Sequence, residues 1–392
     1  MAFSSNSALS VNPPQKSDKP FRVLVVDDSA VIRGLIARWL DAEPDILVIG
    51  TASNGVMALR QVAENQPELV ILDIEMPVMD GMTALPKIIA LMPDIKVIMA
   101  STLTRRNAET SLLALQHGAA DYIPKPESTR EINGSLPFRQ EVIDKVKALG
   151  ALLRKSRGQA APRRSSKAAA SGAPALAAKV NIWARPSGVA LTFRKPSPVK
   201  PRILAIGSST GGPQALLQVL VDIKEHINLP VVITQHMPAT FTAILAEHLS
   251  RATGRPCAEA RDGDILDNGR IYLAPGNFHM IVERDQNKFI LRINQDPPEN
   301  FCRPSVDPML RSAAVACDGR VLVTMLTGMG HDGLAGTRRV VEAGGAAIAQ
   351  DENTSVVWGM PGAIAQAGLC QAVLPLTEIA PKLRTLLGGA RV

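Results

Sequence analysis

Residues 21–28, FRVLVVDD, are a short apolar run closed by two adjacent aspartates, and residues 202–213, RILAIGSSTGGP, are another, closed by serines, a threonine and glycines. An apolar run of this length that ends in turn-forming residues predicts a buried strand leading into a helix. Outward from the first come further strand-like runs at ILVIGTA (46–52), LVILDI (69–74), KVIMAS (96–101) and ADYIP (120–124). Amphipathic stretches separate them, among them AVIRGLIARWL, VMALRQVAEN and AETSLLALQHG, and EVIDKVKALGALLRK closes the series. Strands alternating with helices predict a doubly wound parallel sheet.

Around the second run the alternation starts again. PQALLQVLVDI, FTAILAEHLSRA, GLAGTRRVVEA and PGAIAQA read as helices, and PVVITQH, VLVTML and AAIAQ as strands. Between them DNGRIYLAPG and HMIVERDQNKFILRIN read as antiparallel hairpin material, with turns at Asp267-Asn268-Gly269 and Asp285-Gln286-Asn287. The expected fold class is therefore α/β, with two doubly wound parallel-sheet domains, the second carrying a β-hairpin insertion. The expected boundaries are a disordered tail at 1–20, a first domain at 21–145, a linker at 146–199 and a second domain at 200–392. The linker holds GQAAPRRSSKAAASGAPALAA, whose Ala, Ser, Pro and Arg residues show no strong periodicity, and a segment around Trp183.

Composition narrows the function. At 392 residues, 46% hydrophobic and 20% charged, the chain suits two soluble globular domains. Aromatic residues are only 3%, which argues against base stacking on single-stranded nucleic acid. The net charge of +7 is local: residues 151–200 hold eleven Lys or Arg and no Asp or Glu, so the remainder is net acidic. No apolar run reaches membrane-span length and the N-terminus lacks signal-peptide character, so the expectation is a cytoplasmic protein without membrane insertion. Four cysteines lie far apart with no CxxC pair, which argues against a zinc site or a disulfide framework.

Two constellations carry chemistry. Asp27 and Asp28 follow the first strand and Asp73 ends the third, so their carboxylates converge at one sheet edge, where crowded charge and hard oxygen ligands suit Mg²⁺. Ser101 after the fourth strand and Lys125 after the fifth point at the same edge. VLVVDDSAVIR, ILDIEMPVMDGM, VIMAS and ADYIPKP resemble the response-regulator receiver domain, a flavodoxin-like fold, over roughly residues 21–140. The resemblance implies Asp73 as the phosphorylated aspartate and Asp27 and Asp28 as its acidic pocket. It implies Mg²⁺ held by Asp28, Asp73 and the backbone carbonyl of Glu75. Ser101 would be the switch hydroxyl, Lys125 the phosphate-contacting lysine, Tyr122 the aromatic that changes rotamer, and Lys125-Pro126 a common position for a cis peptide.

In the second constellation, Gly207, Gly211 and Gly212 permit a tight strand-to-helix turn that can expose a serine beside free amides. The phosphate-cradle alternative lacks both GxGxxG and GxxxxGK[ST]. A base and an orienting acid are needed. His236 and Asp332 both follow strands and belong at the serine's sheet edge, and His331 competes with His236 as base. AIGSSTGGPQAL, ITQHMPATFT, YLAPGNFHM, RPSVDPML, LTGMGHDGLAG and WGMPGAI resemble the catalytic domain of the chemotaxis protein-glutamate methylesterases. That resemblance implies Ser209 as nucleophile, His236 as base and Asp332 as orienting acid, with Thr210 bordering the site and the Met329 N–H as oxyanion donor. Ser208 departs from the family pattern, where alanine is commoner. The resemblance further implies chemoreceptor glutamyl methyl esters as substrate, deamidation of specific glutamines, and a chemotaxis histidine kinase as phosphodonor. No cofactor is expected for the esterase step. It also implies that the unphosphorylated receiver restrains the esterase. A DNA-binding output would suit the basic linker but not the α/β second half, and a non-catalytic phospholigand scaffold would not need the serine, histidine and aspartate together.

Overall fold

The computed structural model describes residues 19–125, 136–158 and 191–388; the tail, the segment around Trp183 and the Lys125-Pro126 bond lie outside them in whole or part. The N-terminal body runs β1 (Phe21–Val26), α1 (Ala30–Asp41), β2 (Ile46–Ala52), α2 (Gly55–Asn65), β3 (Leu69–Asp73), α3 (Gly81–Leu91), β4 (Lys96–Thr102), α4 (Arg105–Gln116), β5 (Asp121–Lys125) and α5 (Leu136–Ser156). Its sheet has the order β2-β1-β3-β4-β5, with β1 parallel to β2 and β3, and β3 parallel to β4. Every residue of β3 is buried, as a central strand covered on both faces requires.

Local chemistry starts the helices. Ser29, Asn54, Asp80 and Thr104 stand in extended backbone at the N-caps of α1 to α4, and each side chain accepts from the N–H three residues on. Each cap is worth about 1 kcal/mol. The Ser29 cap follows directly on Asp27 and Asp28, so the chain turns into α1 immediately after presenting these carboxylates.

Helix α5 runs to Ser156, past the expected boundary at residue 145, and it is built into the fold. Arg154 is buried; its Nε donates to Glu68 Oε1 at 2.6 Å, and its Nη atoms reach the carbonyls of Lys19 and Pro20 at 2.7 Å. Its guanidinium also lies over the Phe21 ring, 4.5 Å from the centroid.

The C-terminal body runs β6 (Ile203–Ser208), α6 (Gly212–Ile223), β7 (Val231–Gln235), α7 (Ala239–Thr253), β8 (Cys257–Glu259), β9 (Ile271–Leu273), β10 (His279–Asp285), β11 (Lys288–Asn294), α8 (Val306–Ala316), β12 (Val321–Met325), α9 (Leu334–Glu342), β13 (Ala346–Gln350), α10 (Met360–Gln366), β14 (Ala372–Leu374) and α11 (Leu376–Gly388). Seven strands form a parallel sheet in the order β14-β13-β12-β6-β7-β9-β8. The short strands β8 and β14 at its edges escaped the sequence reading.

One expectation is corrected. IYL does not belong to the hairpin; it is β9, fully buried and parallel to both β7 and β8. The Asp267-Asn268-Gly269 turn feeds the main sheet, and the buried Tyr272 hydroxyl fastens it by donating to Ile265 O and accepting from Asp267 N. The hairpin is β10–β11 alone, closed by Gln286-Asn287 between the paired Asp285 and Lys288. It braces α8, since Val282 N donates to Ser312 Oγ at 2.9 Å.

Burial pushes the Glu68 carboxyl up, but its hydrogen bonds from Arg154 and Arg22 and the Arg154 charge outweigh this and hold it below the usual range. The pair therefore stabilises above the unfolded carboxyl pKa and loses that contribution as pH falls. Arg154→Ala, by leaving a buried carboxylate unpaired, is expected to destabilise the N-terminal body by about 3–5 kcal/mol at neutral pH, and by less in acid. Denaturant unfolding of the full chain at the two pH values measures this.

Candidate active site

The reactive groups of each sheet follow strands that lie next to one another. In the N-terminal sheet β1 and β3 are neighbours, and the carboxylates of Asp27, Asp28 and Asp73 offer oxygens that all lie within 4.8 Å of one another. Asp27 and Asp73 are buried and Asp28 is exposed. Like charges this close repel unless a proton or a cation intervenes, and a hard divalent ion with oxygen ligands fits the donor set. Asp27 Oδ1 also accepts from Ser29 N at 2.9 Å, which orients it. Ser101, Tyr122 and Lys125 are buried on β4 and β5, and the Ser101 hydroxyl lies 2.9 Å from that of Ser111. Glu75, two residues past β3, is exposed.

In the C-terminal sheet β6 lies between β12 and β7, and the chain reverses its order across that point. Loops leaving such neighbours at their carboxyl ends form a crevice. Ser209 follows β6, His236 follows β7, and Asp332 lies in the loop after β12. The turn is tight: Gly212 N donates to Ser209 O at 2.7 Å and Gly211 has φ of +75°, which a side chain would resist. A Cβ on Gly328 would fall 3.0 Å from Ser209 Cβ, so glycine lets the β12 loop lie against the serine.

Asp332 is the most heavily bonded group of the site. Oδ2 accepts from His236 Nε2 at 2.7 Å and Val306 N at 2.6 Å. Oδ1 accepts from Ser305 Oγ, Asp307 N, Asn300 Nδ2 and Gly333 N at 2.7–3.1 Å. Val306 and Asp307 open α8, so the carboxylate sits on that helix's positive end. Burial would push its pKa up, but the hydrogen bond and charge of His236, with the Val306 and Ser305 donors, bring it down to about 2. An ionised carboxylate only accepts, so Nε2 carries the proton and Nδ1 is the ring's base nitrogen. Burial would push the imidazole down; the Cys302 sulfur and Asp332 outweigh it and raise His236 to about 10.

Comparison with known proteins identifies the family. A CheB methylesterase family model matches residues 204–383, and a response regulator receiver domain model matches residues 23–136. The protein-glutamate methylesterase/protein-glutamine glutaminase 1 of Paramagnetospirillum magneticum is 52% identical over 96% of this chain and 99% of its own length. The protein-glutamate methylesterase/protein-glutamine glutaminase of Azospirillum brasilense is 52% identical over 95% of this chain and 94% of its own. The chain belongs to the protein-glutamate methylesterase/protein-glutamine glutaminase family. A crystal structure of the Thermotoga maritima CheB methylesterase catalytic domain covers 48% of this chain and 100% of its own, at 37% identity and a TM-score of 0.46.

Within this methylesterase the expected residues divide. His236 and Asp332 are joined directly, while among the described residues no hydrogen bond links Ser209 Oγ to His236. Among the described residues, the backbone N–H groups of Thr210 and Met329 enter no backbone hydrogen bond, which leaves both available to a developing oxyanion. His331, the rival base, is exposed. Ser208 is buried and donates to Gln235 Oε1 at 2.7 Å, and Gln235 Nε2 reaches Ser209 O at 3.0 Å. The unusual hydroxyl therefore braces the nucleophile turn from behind.

Three site residues had escaped the sequence: Ser305, Asn300 and Cys302. Asn300 Nδ2 bridges Asp332 Oδ1 and Asp307 Oδ2, and Cys302 Sγ lies 3.3 Å from His236 Nδ1. Only the position of RPSVDPML at a helix start hinted at Ser305, and nothing in residue spacing marked the other two.

The pair has a sign-definite pH signature. The contribution of Asp332 is complete above its ordinary 3.8 and is lost as pH falls toward about 2. That of His236 is complete below 6.5 and is lost as pH rises toward about 10. Asp332→Asn is expected to destabilise the C-terminal body most between those limits, by about 3 kcal/mol or more, and progressively less on either side. Denaturant unfolding of both full-length proteins across pH measures the gap.

Proposed function

We propose that this methylesterase is a phosphorylation-activated serine hydrolase of chemotactic adaptation, in which Asp73 takes the phosphoryl group and Ser209 performs the hydrolysis. The observation that carries the reading is the His236–Asp332 pair at the carboxyl ends of strands flanking the one that presents Ser209. Ser209 Oγ attacks the γ-carbonyl of a glutamyl methyl ester, and its proton passes to His236 Nδ1. Asp332 holds Nε2–H and stabilises the imidazolium that forms. The Met329 and Thr210 N–H groups receive the oxyanion. Methanol leaves with the proton from Nδ1, and water, activated by the same nitrogen, releases the glutamate from the acyl-enzyme. Glutamine follows the same route with ammonia as leaving group.

The substrates are glutamates and glutamines on the cytoplasmic helices of chemoreceptors, and the phosphodonor is the chemotaxis histidine kinase. Both imply a cytoplasmic protein, and among the described residues no helix is long and apolar enough to cross a membrane. Asp28, Asp73 and the Glu75 carbonyl would hold Mg²⁺, which when bound offsets charge on the phosphoryl oxygens. Asp27 completes the acidic pocket, Ser101 and Lys125 meet the phosphoryl oxygens, and Tyr122 changes rotamer. In the unphosphorylated chain the receiver restrains the esterase, and phosphorylation shifts the population toward the active form.

Methanol release from a methyl-esterified receptor fragment tests both halves. A small phosphodonor with Mg²⁺ is expected to stimulate release by the wild type. Ser209→Ala is expected to lower release by about 10⁴-fold or more. Asp73→Asn is expected to keep basal release and lose the stimulation. Full basal activity without phosphodonor would contradict the restraint, and unaltered release by Ser209→Ala would contradict the nucleophile.

A further inference from the structure

The imidazole at the centre of the site has one nitrogen left for chemistry, and a sulfur stands at it. Nε2 is committed to Asp332 at 2.7 Å, and Nδ1 faces Cys302 Sγ at 3.3 Å. We propose that Cys302 is a positioning residue that restrains the base: its thiol occupies the nitrogen that Ser209 must use, so hydrolysis begins with an exchange of thiol for hydroxyl at Nδ1. This rests on the assignment of Ser209, His236 and Asp332 given above.

The position of the sulfur is built into the chain. Glu299 and Cys302 pair across a two-residue turn, with Cys302 N donating to Glu299 O at 2.9 Å and Glu299 N to Cys302 O at 3.2 Å. Asn300 and Phe301 at its centre have φ of 52° and 63°, a conformation costly for a bulky side chain. Phe301 is fully exposed, so packing of its ring does not offset that cost. Two anchors hold the turn instead. Arg311 grips Glu299 through a two-pronged ion pair at 2.6 and 2.8 Å, and Asn300 donates to the Asp332 carboxylate that also holds His236. One strained turn thus fixes partners on both sides of the imidazole.

A thiol at this nitrogen differs from a hydroxyl. Against burial, which lowers it, the Cys302 sulfur and Asp332 raise the imidazole to about 10, so Nδ1 holds a proton at neutral pH. In that form Nδ1 cannot accept the Ser209 proton. Other polar and ionisable groups also stand near the ring. Asp332 bonds it directly, Asp307 stands behind Asn300, the Glu299–Arg311 pair lies in the turn, and His279 accepts from Ser305 N beside Asp332. Apart from Asp332, Cys302 bonds His236 directly and is the one that can be removed without disturbing the carboxylate. Cys257, Cys317 and Cys370 are pushed up by burial to about 12 and stay protonated at neutral pH.

The test uses full-length wild type, Cys302→Ala and Cys302→Ser with the methyl-esterified receptor fragment, reading kcat and KM against pH. Both variants are expected to move the acid limb of kcat/KM down by about one pH unit, a tenfold gain on that limb, with KM unchanged. Damage to packing would lower activity without moving the limb. An unmoved limb, or loss of hydrolysis by both variants, overturns the proposal. A His236 ring-proton NMR titration reads the restraint without activity: the apparent pKa falls in Cys302→Ser if the proposal holds, and an unchanged value overturns it. Ser209→Ala separates the two readings, since retained hydrolysis there defeats the nucleophile assignment while the titration still decides the role of Cys302.

Discussion

The Asp332 carboxylate at the first turn of α8 is the interaction on which the active region depends. Six donors from the residue after β7, the 299–302 turn, the helix start and its own loop converge on its two oxygens. Such a charge is costly to bury, and its neighbours are arranged to meet that cost: a helix N-terminus, a serine hydroxyl, an asparagine amide and an imidazole N–H. Because the same oxygens take the histidine and the helix, the imidazole's orientation is tied to the position of α8. The β10–β11 hairpin, which bonds α8 through Ser312, is therefore part of the support for the site.

The N-terminal sheet meets the problem of buried charge in the opposite way. Three carboxylates are gathered within 4.8 Å, two of them buried. Asp332 is surrounded by donors from its own chain, whereas this cluster gathers carboxylate oxygens of the kind a hard divalent cation fits. The first arrangement fixes a proton's position permanently, and the second makes the local charge balance depend on what binds.

The fold was largely legible in residue order. Runs such as LVILDI and VLVTML are too uniformly apolar to lie anywhere but in a sheet covered on both faces, and Ser29, Asn54, Asp80 and Thr104 mark helix starts by side-chain chemistry alone. IYL was misread because a three-residue strand carries no periodicity, and the adjoining Asp-Asn-Gly turn suggests a hairpin in sequence whatever the next strand pairs with. The short edge strands β8 and β14 were missed for the same reason.

Resemblance to the receiver and methylesterase families chose Ser209, His236, Asp332 and the three N-terminal aspartates, and all of them lie at or beyond strand ends, positions that a parallel sheet gathers at one edge. That placement follows from chain order and the period of apolar residues. Which nitrogen of His236 meets Asp332, that Ser208 faces Gln235, and that Asn300 and Cys302 flank the His236–Asp332 pair were decided only by tertiary structure. Those contacts join residues 7 to 96 positions apart, and side-chain direction across such separations is set by packing, which no local pattern encodes.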